Sequence, residues 1–147
     1  MLAVLGWPLC GYGEVTVEVA TGVGYTDSRL ILFGVTQPSA SVLGIDSYMQ
    51  YNFGAWDGRR ETSVIGAAKG LQWRLGTALM RLSTGASLIS NTGGRLATNF
   101  EFYEQLMVQQ RIANVDIAVS YRHWSNADLK EPNLGMDFIG LQMEQKW

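Results

Sequence analysis

One cysteine, Cys10, and one histidine, His123, occur in 147 residues. A disulfide within the chain is therefore excluded, and so is a zinc site built on the usual cysteine and histidine ligands. Proline is scarce, at 3 residues. Charged side chains make up 16%, well short of the roughly 25% of ordinary soluble domains. The net charge is -2, and no basic run lies beside a stacking stripe, so a nucleic-acid partner finds no footing. No run of about 18 apolar residues is present, which excludes a transmembrane helix. It does not exclude a β-barrel, which crosses a membrane on alternating segments of about ten residues. Helical periodicity is equally hard to find.

What is present is glycine, 17 residues of it, and a period of two. Between Glu14 and Tyr25 the residues Val15, Val17, Val19, Val23 and Tyr25 share one face, opposite Glu14, Thr16 and Glu18. Arg29 to Thr36 is apolar on both faces, and Pro38-Ser39-Ala40-Ser41 reads as a break. Alternation resumes from Leu43 to Trp56, Glu61 to Leu75, Thr77 to Leu88, Asn99 to Ile112, from Val115 onward, and from Met136 to Trp147. Glu104 falls on the apolar face of its strand, which calls for a bulge or a site contact.

The deciding question is which face is polar. One face collects Glu14, Glu18, Asp46, Gln50, Asn52, Gln72, Arg74, Arg81, Glu101, Gln105, Arg111, Asp116, Arg122, Gln142 and Glu144. Its signs are mixed and its amides many, so it can pair with itself in a closed interior. The other face, Glu104 apart, reads as aliphatic or aromatic. Eight strands enclose room for side chains only, not a channel. The fold expected is all-β: an eight-stranded antiparallel transmembrane β-barrel with a polar, side-chain-filled interior and a lipid-facing skin. A soluble ligand-binding barrel, apolar inside, is the rival. Residues 1–147 read as one domain. Residues 1–12 suggest a leader remnant or N-terminal extension, since Leu2 to Cys10 resembles a signal-peptide core without its basic flank. The terminal Trp147 resembles the closing signal of outer-membrane barrels, although Gln145 interrupts the row before it.

One strand carries an oddity. In Val115-Asp116-Ile117-Ala118-Val119-Ser120-Tyr121-Arg122-His123-Trp124-Ser125-Asn126, the apolar row Val115, Ile117, Val119, Tyr121 continues into His123 and Ser125. Residues i and i+2 of a strand have backbones about 7 Å apart. A hairpin turning at Lys130 sets position 125 opposite 135 and His123 opposite Asp137. A hydroxyl, an imidazole and a carboxylate then meet on the lipid-facing wall. That set suits acyl transfer, with Ser125 as nucleophile, His123 as general base and acid, and Asp137 orienting the ring. Backbone N–H groups around Asn126-Ala127, with the amide of Asn126 or Asn133, are the candidate oxyanion donors. The plain alternative is an interfacial histidine beside a Ser-Asn turn. Ionisable groups facing lipid are costly, however, and their presence favours function.

The run His123-Trp124-Ser125-Asn126-Ala127-Asp128-Leu129-Lys130-Glu131-Pro132-Asn133-Leu134-Gly135-Met136-Asp137 resembles the signature of the PagL family, outer-membrane lipid A 3-O-deacylases. The resemblance implies a serine esterase on the outer wall of a bacterial outer-membrane barrel. It would remove the ester-linked 3-hydroxyacyl chain at position 3 of lipid A. His123 and Ser125 carry over directly, and Asn133 and the Ala127 N–H match the family's oxyanion donors. The acid falls on Asp137, where Glu is more usual, and Asp128 stands where Gly is common. The implied partners are lipopolysaccharide and outer-membrane lipids, with room for a homodimer, and no metal or cofactor. Lys130, Arg95, Arg59 and Arg60 at the rim are candidates to meet lipid A phosphates. A barrel of adhesin or anchoring type without catalysis is the other reading.

Overall fold

The computed structural model describes residues 13–23, 28–57, 60–92 and 94–146. The suspected leader remnant, Arg59 and Trp147 lie outside the described residues. Among the described residues, eight strands form one closed antiparallel barrel in sequence order. They are β1 (Glu14–Gly22), β2 (Arg29–Val42), β3 (Ile45–Trp56), β4 (Thr62–Leu75), β5 (Ala78–Ile89), β6 (Phe100–Ile112), β7 (Val115–Ser125) and β8 (Met136–Lys146). β1 closes the ring on β8, with Glu14 opposite Lys146 and Gly22 opposite Phe138. Strands of about 9–11 residues, tilted, span a hydrocarbon layer.

The two ends differ. At one end tight turns at Leu43-Gly44, Gly76-Thr77 and Ala113-Asn114 join the strands, and Leu43, Gly44, Gly76 and Ala113 take positive φ there. At the other end the connections are longer, and two of them, 90–99 and 126–135, meet. β2 runs straight through Pro38, where the sequence suggested a break. Pro38 pairs with Tyr48 of β3 and lies beyond Glu14–Thr36, the last described pair with β1. A register shift follows between Ser39 and Val42.

The parity agrees with the sequence reading. Val19, Phe53, Ile65, Leu88, Val119 and Leu141 are among many large apolar side chains on the outer wall. Glu14, Glu18, Gln50, Asn52, Arg81, Glu101, Gln105, Asp116, Arg122, Gln142 and Glu144 are buried inside. Asp46, Arg74 and Arg111 are exposed near the turn end. The exterior is what lipid requires, and the interior is what a sealed polar filling requires. Arg81 reaches Glu144 at 2.8 Å and Glu14 at 2.5 Å, and its Nε donates to Gln72. Higher up, Glu18 accepts from Arg122 at 2.7 Å and from the Ser120 hydroxyl at 2.6 Å.

The filling has a second layer that alternation alone did not reveal. Toward the loop end Trp56, Trp124, Phe138 and Tyr103 pack with Leu30, Leu32, Val64, Ile89, Leu96 and Met136. Trp124 lies edge-on to Phe138, centroids 5.5 Å apart, and donates its indole N–H to Ser87. Asn52 donates to the Tyr103 hydroxyl where the two layers meet. The Arg122 guanidinium lies over both Tyr103 and Trp124.

Removing one partner of a buried ion pair strands the other, at a cost of about 3–5 kcal/mol. Arg81→Ala should lower the unfolding free energy in lipid vesicles by about that amount, read from urea titration. A replacement by exposed Arg111→Ala should change it by less than about 0.5 kcal/mol.

Candidate active site

β7 and β8 form the hairpin that carries the odd residues. Arg122 and Trp124 point inward and are buried, so the residues between and beside them must point out. His123 and Ser125 follow on the outer face of β7, half-buried. The register of β7 on β8 pairs His123 with Asp137, as the hairpin spacing predicts. Phe138, inward and fully buried, fixes the facing of Asp137 in the same way.

The His123 Nδ1 atom lies 2.8 Å from Asp137 Oδ1. A carboxylate only accepts, so this contact has Nδ1 carrying the hydrogen and leaves Nε2 free to take a proton. Ser125 shares the face two residues on, but no hydrogen bond joins it to His123 in this structure. Serine–histidine contacts of this kind are often long until a substrate is bound.

Gly135 explains how the ring fits. Its φ is +63°, and a Cβ there would come 2.7 Å from His123 Cε1 and 3.5 Å from Nε2. Only a residue without a side chain lets the imidazole lie over the start of β8. The Arg95 guanidinium crosses from the 90–99 loop to donate to the Leu134 and Gly135 carbonyls at 3.1 and 3.0 Å. Leu134 N–H donates back to the Arg95 carbonyl, and Leu96 bridges Asn133. Arg95 is thus engaged as a clasp on the site.

The oxyanion candidates separate. Asn126 is buried, its N–H donates to Asn133 Oδ1 at 3.0 Å and its amide donates to the Lys130 carbonyl at 2.7 Å. Asn126 therefore braces the loop. Ala127 takes φ +52° in an exposed position, and its N–H makes no hydrogen bond among the described residues. Left-handed non-glycine residues concentrate at functional sites. Asn133 gives one amide hydrogen to Asp128 Oδ1 at 2.8 Å, which leaves it a second. Asp128 itself has φ +60°, the conformation that favours glycine and that aspartate tolerates better than most. The Lys130 side chain is exposed, and so is Arg60, in the β3–β4 connection at the same end of the barrel.

Two residues near the site, Tyr121 and Gly135, carried no role from the sequence, and a third, Arg95, was expected at lipid A phosphates but is bonded to the Leu134 and Gly135 carbonyls instead. Tyr121 donates its hydroxyl to Asp137 Oδ1 at 2.5 Å. Gly135 and Arg95 act as just described; Gly135 stood in the motif, but only the packing in three dimensions shows that it lies against the ring. Glu104 needs no bulge, since it pairs directly with His123 from the β6 side. The same rung continues through Thr84 to Lys69, so one diagonal row of polar side chains crosses five strands of an otherwise apolar wall.

Beside that row runs a groove. Ser125 pairs with Phe102, then Ala86, Ala67, Tyr51 and Val35. The two alanines leave a trough of about 430 Å³ bounded by Phe53, Ile65, Leu88 and Phe100. Ser125 ends its strand, whereas Ala67 and Tyr51 sit mid-strand. The rung therefore descends from the loop end into the apolar band. Among the described residues no group of three or more His, Cys, Asp or Glu is arranged to hold a metal.

The sequence profile of the family described as Lipid A 3-O-deacylase (PagL) matches residues 20–145. No curated protein sequence matches the chain. Among solved structures, the outer membrane enzyme PagL superposes with a TM-score of 0.72 at 17% identity, covering 90% of this chain and 98% of its own. A de novo designed transmembrane β-barrel gives 0.65 at 11%, covering 93% and 96%. Neisserial surface protein A gives 0.61 at 11%, covering 93% and 97%. At these identities the superpositions speak for the fold alone.

Gly135→Ala should leave a folded barrel and lower ester turnover by about a hundredfold or more, because a shift of the ring by about 1 Å suffices for that. Steady-state hydrolysis by the purified variant, with folding checked by far-UV circular dichroism, measures it.

Proposed function

The chain belongs to the lipid A 3-O-deacylase (PagL) family, and from that premise we propose that it hydrolyses the ester-linked 3-hydroxyacyl chain at position 3 of lipid A, in the bacterial outer membrane, through Ser125, His123 and Asp137. The observation that carries the reading is the 2.8 Å contact between His123 and Asp137 on the lipid-facing wall, with Ser125 on the same face. A histidine–carboxylate pair turned toward lipid has no structural purpose that an aliphatic pair would not serve better.

The chemistry follows from the groups. His123 Nε2 takes the proton of the Ser125 hydroxyl as its oxygen attacks the ester carbonyl carbon. Asp137 holds the Nδ1 hydrogen and offsets the charge the ring acquires. The tetrahedral oxyanion receives hydrogen bonds from the Ala127 N–H and the second amide hydrogen of Asn133. The C–O bond to the sugar then breaks, and the sugar oxygen leaves with the proton from His123. Water, deprotonated by the same ring, attacks the acyl-serine; the acyl C–Oγ bond breaks, the Ser125 oxygen takes the proton back from His123, and the 3-hydroxy fatty acid leaves. All the groups come from one chain, so the proposal needs no second copy.

The wall suits a substrate that is itself a membrane lipid. Its ester can arrive laterally at the level of Ser125, near the loop end. The alanine-floored groove offers an acyl chain an apolar path down into the membrane. Lys130 and Arg60, both exposed at the loop rim, would meet the substrate's phosphate groups.

Mass spectrometry of lipid A from cells expressing the wild type or Ser125→Ala tests the reading. Loss of one 3-hydroxyacyl group with the wild type alone is expected. Identical spectra from the two would sink the proposal and favour a barrel without catalysis.

A further inference from the structure

Asp137 Oδ1 accepts two hydrogen bonds, one from His123 Nδ1 at 2.8 Å and one from the Tyr121 hydroxyl at 2.5 Å. We infer that Tyr121 is a positioning residue of this site, a fourth member that holds the Asp137 carboxylate against the imidazole. The inference rests on the reading of Ser125, His123 and Asp137 given above.

The geometry makes the role specific. Tyr121 and His123 are i and i+2 on the outer face of β7. The direct partner of Tyr121 on β8 is Ile139, so its hydroxyl reaches Asp137 along the diagonal. Aromatic side chains span that diagonal and shorter ones do not. Asp137 is thus gripped from two directions, by the imidazole beside it and by the phenol from deeper in the wall. Tyr121 is 43% exposed on the lipid-facing surface, on the membrane side of His123, where hydrocarbon offers no donor to replace its hydroxyl. A carboxylate with one donor in such a place is poorly satisfied and free to turn away. The short side chain of aspartate sharpens the need, because its carboxylate has less reach than that of glutamate and must be held where the ring is. Phenylalanine at position 121 would keep the ring and lose only the donor.

The test is a double-mutant cycle on the full chain reconstituted in lipid vesicles, with purified lipid A as substrate. It compares wild type, Tyr121→Phe, Asp137→Asn and the double variant. Tyr121→Phe should lower kcat by about ten- to a hundredfold, the range of one hydrogen bond to a charged group, and leave KM within about twofold. In the Asp137→Asn background the same change should alter kcat by less than about twofold, because its route to the ring is already cut. Unchanged or faster turnover in Tyr121→Phe overturns the inference. So does an equal fall in both backgrounds, or a loss carried by KM, either of which makes Tyr121 a structural or substrate contact. Should the phenylalanine variant fail to fold, Tyr121→Met, apolar and without a donor, repeats the comparison. Retained activity in Ser125→Ala would instead defeat the underlying reading, whatever Tyr121 does.

Discussion

Hydrocarbon offers a peptide group no hydrogen-bond partner, and each one left open costs several kcal/mol. A chain that crosses it as strands must pair every strand on both sides, which here means β1 closing on β8. That closure leaves no freedom to slip, because a shift of one residue would turn every apolar side chain inward and every charge out. Register in turn decides which side chains are neighbours. His123 meets Asp137, Glu104 meets His123, and Ser125 opens the row that leads along the groove, all because the ladder permits no other pairing.

The interior supports the wall it cannot touch. Alternation places Arg122 and Trp124 inside, with His123 between them and Ser125 after them outside. Trp124 is locked by Phe138, Trp56 and its bond to Ser87, and Arg122 by Glu18 and two aromatic faces. The β7–β8 hairpin is thereby fixed from behind, while its outer side chains stay open to lipid. The loops complete the arrangement: Arg95 clasps the carbonyls of Leu134 and Gly135, and Asn126 ties the turn to Asn133 and Lys130. Rigid scaffold and exposed site are thus two faces of the same strands.

Much of this was legible in the residues. Period two gave the strands, the mixed charges of one face gave the interior, and the hairpin count from Lys130 set His123 opposite Asp137. What escaped depends on distances between strands that no local pattern encodes. β2 passes through Pro38, which keeps its place opposite Tyr48 of β3. The aromatic layer escaped because Trp56, Trp124 and Phe138 come from three separate strands and look, locally, like any membrane aromatics. Tyr121 reads as one more member of an apolar row until its hydroxyl is seen on Asp137. Asn126 reads as a free donor until its hydrogens are traced into the loop.

The central claim is that Ser125, on the outer wall, is an activated nucleophile. Reaction of the purified barrel with a fluorophosphonate tests it most directly, since an activated serine oxygen displaces fluoride and forms a stable adduct. Peptide mass mapping should locate the adduct on Ser125 in the wild type, with its formation slowed in His123→Ala and absent in Ser125→Ala. A wild type that stays unmodified, or labelling that persists unchanged in Ser125→Ala, would contradict the account.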